Sequence, residues 1–175
     1  MMPTINPNTF RQNVEWNIDQ IAVQVGHAEN VRSRARSGYY KAAVIVAASV
    51  VEALAYRLLD QNKTLEMPLE DWECFSSHSL PESHRSTDGF KFSICKRRQP
   101  RFELLKHTDF KKVNEVCLKL NLFTKKFFNK IERIRKLRNK IHIQGLDNID
   151  RSYTKKQLEY ISSVMNELLG KINLN

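Results

Sequence analysis

The residues best suited to chemistry lie in a short basic run that ends at His142. At about 100° per residue, an α-helix would bring Arg135, Arg138 and His142 onto one face. Arginine can hold a phosphate through two parallel hydrogen bonds and can offset charge that builds up in a transition state. Histidine, with an unperturbed pKa of about 6.5, can take and give protons near neutrality. The run therefore predicts a site for phosphodiester chemistry.

Such a site needs neither a metal nor another cofactor, because RNA supplies its own nucleophile, the 2′-hydroxyl. The competing interpretation is an ordinary solvated helix face that does no chemistry. The sequence contains no P-loop, GxGxxG or HExxH motif. Four side chains of zinc-ligand type do occur, namely Cys74, His78, His84 and Cys95. Their spacing lacks the close pairs of structural zinc sites, so no metal is expected.

The charge of the chain is concentrated around the same run. The net charge is +10, to which residues 96–140 contribute +12, residues 1–95 contribute −2 and residues 141–175 contribute 0. Such clusters are typical of phosphate-binding proteins, because each neutralised phosphate releases counterions. A lysine-rich face that only keeps the protein soluble explains the charge equally well. The RNA contacts predicted from this segment are Lys136, Lys140, Lys130, Arg133, Arg97 and Arg98.

The elements that would position these residues are helices. Glycine and proline are few, with five of each, and apolar residues recur at spacings of three and four. The pattern predicts an all-α fold, an up-and-down bundle of four to five helices in a single domain over residues 1–175. The predicted helices cover residues 7–34, 39–62, 109–122 and 124–143, and a last one starts at Thr154. The second, which is apolar nearly all round, should be the most buried.

Three local features qualify this bundle. Around residues 65–105 the helical pattern stops, which predicts a long loop or a small β-hairpin that pairs 89–96 with 101–105. Gly38 should lie in the turn between the first two helices. Glu52 falls within the apolar second helix, where a carboxylate is costly unless it is paired. It either meets an arginine of a neighbouring helix, as a supporting acid for the site, or stays partly exposed with no special role.

The chain is expected to be cytoplasmic, with reduced cysteines and no membrane partner. Its three cysteines are irregularly spaced, and its N-terminal residues lack the pattern of a signal peptide. The most apolar stretch, residues 42–51, is shorter than the roughly 20 residues that a membrane span needs.

The run that contains Arg138, Asn139 and His142 resembles the signature of HEPN domains. These are helical-bundle domains of toxin–antitoxin, antiviral and RNA-processing systems. The segment from Gly38 to Leu54 is similar to the early buried helix of that family. The resemblance extends over about residues 39–169 of the chain.

The resemblance implies a metal-independent endoribonuclease that acts as a homodimer, with the motifs of two subunits facing one composite cleft. His142 would be the general acid or base, Arg138 would bind the scissile phosphate, and Asn139 would orient the site. The products would be a 2′,3′-cyclic phosphate and a 5′-hydroxyl. An antitoxin or another protein could be a further partner, in a defence or stress response.

Two points stay open in this comparison. Three residues separate Arg138 from His142, fewer than the four to six usual in the family, whereas six separate Arg135 from His142. Either arginine can therefore be the family's. The alternative functions are a non-catalytic HEPN module that binds RNA or a partner protein, and a plain helical scaffold.

Overall fold

The computed structural model describes residues 6–32, 35–69, 73–75, 94–96, 108–140 and 153–172 of the chain. Within these ranges the protein is mostly helical, as predicted for the all-α class. The helices are α1 (Pro7–Asn30), α2 (Ala35–Gln61), α3 (Phe110–Lys119), α4 (Lys125–Asn139) and α5 (Lys155–Leu169). Two short strands, β1 (Glu73–Phe75) and β2 (Ile94–Lys96), lie between α2 and α3 in the sequence.

The chain divides into two compact units. The helical unit comprises Met1–Thr64 and Leu104–Asn175, and the inserted unit comprises Leu65–Glu103. The inserted unit interrupts the helical unit at the place where the loss of helical periodicity predicts an insertion. The single domain predicted over residues 1–175 stays a prediction.

Side-chain caps fix the starts of α4 and α5 where the sequence predicts them. Thr124 Oγ1 accepts a hydrogen bond from the amide of Phe127 at 3.2 Å. The amide of Thr154 donates to the side chain of Gln157 at 2.9 Å, as in a capping box. These bonds satisfy polar groups that a helix N-terminus otherwise leaves without an intrahelical partner.

The turn between α1 and α2 lies earlier than predicted. α1 ends before Val31, which is extended (φ −105°, ψ 138°), and α2 begins at Ala35. Gly38 is therefore inside α2, and its predicted place in the turn is wrong. The side chain of Arg36 contributes to this arrangement, because its Nε donates to the carbonyl oxygen of Ala28 at 3.1 Å. One of the last carbonyl groups of α1 is satisfied in this way.

α2 is the central helix of the helical unit, because it contacts α1, α3, α4 and α5. It carries the largest number of buried residues among the described helices, as predicted from its apolar circumference. Alanines on its surface let its neighbours approach closely. The buried apolar residues of α2 are Tyr40, Ala43, Val44, Ala47, Ala48, Val50, Val51, Leu54, Ala55, Leu58 and Leu59.

α2 also has the length and apolar composition of a membrane-spanning helix. However, 61% of its most apolar window is buried inside the protein, as it is in the core helix of a soluble protein. The predictions of a cytoplasmic location and of no membrane partner stay predictions.

α1 packs on α2 through a narrower stripe than its sequence predicts. Val14, Ile21 and Ala28, spaced seven residues apart, are buried. The sequence would allow Trp16 and Val23 to widen this stripe, but they are 62% and 48% exposed and do not. A helix that contacts one neighbour buries a strip of this width and leaves its other faces in solvent.

β1 and β2 pair antiparallel, with the backbone of Cys74 opposite that of Cys95. β2 lies within the predicted strand 89–96, and its described partner is β1, whereas the predicted pairing with 101–105 stays a prediction. The segment 101–105 lies outside the described residues. Period-two alternation identifies a strand and not the strand that pairs with it. Cys95 is disulfide-bonded, so the expectation of reduced cysteines is wrong at this position.

Candidate phosphate-binding cleft

A cleft of about 420 Å³ lies beside the basic end of α4. Its wall includes Arg135, Arg138 and Asn139 of α4 and Glu52 of α2. Thr108, Asp109 and Phe110, at the start of α3, complete the described lining. Four residues predicted to form the site therefore line one cleft, although α2 and α4 are far apart in the sequence. His142, the fifth, lies outside the described residues.

Arg138 forms an ion pair across the cleft. Its Nη1 donates to Oε2 of Glu52, so α4 is tied to α2 at this point. Of the two interpretations of Glu52, the pairing with an arginine of a neighbouring helix is confirmed. The side chains of Arg138 and Glu52 are 36% and 30% exposed, so solvent reaches the pair.

Burial raises the pKa of Glu52 above its usual 4.5, and the nearby carboxylate of Asp109 adds to this effect. Arg138 acts in the opposite direction and does not fully offset the burial. The ionised carboxylate of Glu52 is therefore held in the cleft at an electrostatic cost. The contact with Arg138 thus offsets only part of the cost of burying this charge.

Arg135 belongs to a second polar chain, which links α4 to α3. Its Nε and Nη2 donate to Oε2 of Glu132 at 3.0 and 2.9 Å. Oε1 of Glu132 accepts in turn from Nδ2 of Asn114, a fully buried residue of α3, at 2.9 Å. Burial alone would raise the pKa of Glu132, but the hydrogen bonds from Arg135 and Asn114 outweigh it and lower that pKa. Arg135 is thereby fixed in orientation.

The two arginines of the predicted site are both paired with carboxylates. Arg135 and Arg138 do line the same cleft, but each is engaged by a carboxylate. α4 also ends at Asn139, with Lys140 as its C-cap, and not near residue 143. Asparagine is a weak helix former that favours helix ends. Helical periodicity therefore does not give the position of His142 relative to the arginines.

The residues predicted to contact RNA do not line this cleft within the part of the chain that the structure describes. Lys136, Lys140 and Arg133 line a groove between α4 and α5. Lys130 pairs with Glu167 of α5 at 2.6 Å and lines neither the cleft nor the groove. Arg97 and Arg98, also predicted to bind RNA, lie outside the described residues.

Two groove residues on α5 were not identified from the sequence. Lys156 and Tyr160 line the groove opposite α4. The segment 141–175 has no net charge, so charge gave no signal there. The predicted capping box at Thr154 and Gln157 was the available signal for Lys156 and Tyr160, because it fixes which residues form the first turns of α5.

No three His, Cys, Asp or Glu side chains are grouped as metal ligands within the ranges that the structure describes. Of the four zinc-ligand candidates, His78 and His84 lie outside those ranges. Cys95 is disulfide-bonded, so it does not offer the thiolate that zinc requires.

No protein-family model, no curated protein and no solved structure matches this chain. The resemblance to HEPN domains therefore rests on the short motif around Arg138 and on the buried helix α2, and it stays a prediction.

Neutralising Glu132 and neutralising Glu52, the two carboxylates paired with the cleft arginines, should change the stability of the fold in opposite directions. Glu132 has a lowered pKa, so its charge contributes stability above its usual 4.5, and this contribution is lost as the pH falls through the folded-state pKa. Glu52 has a raised pKa, so its contribution is present below 4.5 and is lost as the pH rises through its folded-state pKa. At neutral pH, Glu132→Gln should lower the urea midpoint, whereas Glu52→Gln should leave it unchanged or raise it.

Urea unfolding followed by circular dichroism, at neutral pH and again in acid, measures both differences. The two variants should converge on the wild type in acid, where both carboxylates are protonated in every state. Equal destabilisation by the two substitutions at neutral pH would contradict the opposite pKa directions.

Proposed function

We propose that the protein is a metal-independent HEPN-type endoribonuclease, an up-and-down helical bundle that acts as a homodimer in a defence or stress response. One observation carries the proposal. Arg135, Arg138 and Asn139 meet Glu52 in one cleft, and Asn139 precedes His142 by three residues in the sequence. A cleft that offers two guanidinium groups and a side-chain amide has the donors that a phosphodiester requires.

Within this proposal, Arg138 is the arginine that holds the scissile phosphate. Arg135 is bound through two nitrogens to Glu132 and is 19% exposed, so its donors are largely occupied. Arg138 is 36% exposed, and its described partner Glu52 is the carboxylate that ionises at a cost. A phosphate that displaces Glu52 from Arg138 would remove the contact that lowers the pKa of Glu52, so displacement favours the protonated, uncharged carboxyl.

The reaction is an internal transfer at phosphorus. The 2′-hydroxyl attacks the adjacent phosphorus, a base removes its proton, and the 5′-oxygen leaves as an acid protonates it. One of these proton transfers belongs to His142, and the motif of the second subunit would supply the other. The products are a 2′,3′-cyclic phosphate and a 5′-hydroxyl, with no water, metal or cofactor consumed.

The direct test is cleavage of a mixed-sequence single-stranded RNA in the presence of EDTA. The activity should co-elute with the protein in size-exclusion chromatography, at the position of a dimer. Only the new 5′ ends should accept phosphate from a polynucleotide kinase without prior phosphatase treatment. Cleavage that stops in EDTA, or products with 5′-phosphates, would refute the proposed mechanism.

A second candidate function is a non-catalytic HEPN module that binds RNA or a partner protein. The observation in its favour is that both arginines of the cleft are already neutralised by carboxylates. RNA binding that weakens steeply with salt, without cleavage of any RNA tested, would favour this candidate. The absence of RNA binding would favour a helical scaffold instead.

A further inference from the structure

A groove of about 750 Å³ runs between α4 and α5, distinct from the cleft at Glu52 and Arg138. Its α4 wall carries Arg133, Lys136 and Lys140, and its α5 wall carries Lys156 and Tyr160. The cleft and the groove share none of their described lining residues. The helix α4 therefore presents basic residues to two different surfaces.

The two surfaces differ in how their cations are compensated. The two arginines of the cleft, Arg135 and Arg138, form ion pairs with Glu132 and Glu52, respectively. In the groove, none of the four cations has a carboxylate within ion-pair distance among the residues that the structure describes. The one carboxylate of the groove lining, Glu132, is bound to Arg135. Among the described lining residues, four cations thus face a single carboxylate, and the resulting excess of positive charge is what a polyanionic backbone requires.

The groove also contains an aromatic surface. The guanidinium carbon of Arg133 lies 4.7 Å from the ring centroid of Tyr160, so a cation and an aromatic ring stack across the groove. Bases of single-stranded nucleic acids stack on tyrosine rings and on guanidinium planes without regard to sequence. Cations that follow a backbone beside one such surface form the combination that binds single strands.

We propose that the groove between α4 and α5 holds the backbone of single-stranded RNA, while the cleft acts on one of its phosphates. The inference rests on the proposed function, since it assigns the RNA of that function to a second surface. Lys136 and Lys156 contact phosphates from opposite walls, and Arg133 with Tyr160 stacks on a base. Lys156 and Tyr160 are the two residues of this proposed RNA-binding surface that were not predicted from the sequence.

Fluorescence anisotropy of a labelled mixed-sequence single-stranded RNA over a salt series tests the groove. The test variant is Lys136→Ala with Lys156→Ala, and the matched control is Lys112→Ala with Lys126→Ala. The control lysines are exposed, lie on α3 and α4, and line neither surface. Each phosphate contact contributes a slope of about −0.7 on single strands, so the test variant should bind more weakly, with a slope about 1.4 shallower than wild type. The control should match the wild type in slope.

Tyr160→Leu provides an independent arm, because it removes the aromatic face and keeps the salt dependence. It should weaken binding with an unchanged slope. A test variant whose slope matches that of the control, or a wild type that binds no RNA, would overturn the groove assignment. A thermal melt of each variant confirms that the helical unit is folded.

Cleavage rates at saturating RNA separate this inference from the ribonuclease proposal. If the wild type cuts RNA and the groove variant binds as the control does, the groove assignment fails and the ribonuclease stands. If the wild type binds RNA through the groove and cuts nothing, the ribonuclease fails and the groove stands.

Discussion

The His142→Ala variant is expected to cleave RNA about 10²–10⁴-fold more slowly than the wild type, because a positioned general acid or base contributes an acceleration of that size. Its RNA affinity should be nearly unchanged. In the proposed site the phosphate is held by Arg138, and the backbone by the groove between α4 and α5. Binding and catalysis therefore fall on different residues, and a substitution at one should spare the other.

The measurement is the initial cleavage rate in EDTA, compared with anisotropy on the same RNA. His27→Ala is the matched control, because His27 of α1 is exposed and lines neither the cleft nor the groove. Its ring stacks on that of Tyr39, with 5.3 Å between the ring centroids. The control should cut at the wild-type rate. Equal activity of the wild type and His142→Ala would remove His142 from the site, whatever the other variants do.

The largest effect on stability is expected at Arg57. This arginine of α2 is 7% exposed, and it pairs with Asp60 at 3.3 Å. Its guanidinium also lies 5.9 Å from the ring centroid of Phe10 on α1. Removing one member of a buried pair leaves the other charge poorly compensated, which costs about 3–5 kcal/mol. Arg57→Leu should therefore destabilise the helical unit by about 3 kcal/mol, since Asp60 keeps Lys63 at 3.4 Å.

Urea unfolding followed by far-ultraviolet circular dichroism gives this free energy. The double variant Arg57→Leu with Asp60→Leu should recover much of the loss, because it replaces the pair by apolar side chains. Arg11→Leu is the control: its pair with Glu15 is shorter, at 2.8 Å, but both side chains are more than half exposed. It should leave the midpoint unchanged. A loss at Arg57 no greater than that at Arg11 would show that burial does not set the cost.

The helices were predictable because each depends on local sequence. The caps at Thr124 and Thr154 and the apolar spacing of α3, α4 and α5 are encoded within a few residues. The errors arose where contacts between elements decide the outcome. Gly38 is accommodated inside α2 although its sequence is typical of a turn, and Trp16 is exposed because α1 packs through a single stripe.

The site was predictable in composition and not in electrostatics. The sequence of residues 135–139 identified Arg135 and Arg138 as site residues. The cost of burying a carboxylate indicated that Glu52 needs a partner of opposite charge. The motif alone could not show that Arg135 is held by Glu132, because that orientation depends on Asn114 of α3, which the fold brings to Glu132 from 18 positions earlier. The net charge of +12 over residues 96–140 likewise could not show that these cations are divided between the cleft and the groove.

The central position of α2 affects how the helical unit loses structure. Because α2 contacts α1, α3, α4 and α5, none of these helices can bury its apolar stripe fully when α2 is unfolded. The amide protons of α2 should therefore exchange with solvent only through global unfolding, while those on the outer face of α1 exchange through local opening. The amide protons expected to exchange most slowly thus lie on the same helix as Glu52, the carboxylate that lines the cleft. The candidate site is anchored to the part of the molecule that opens last.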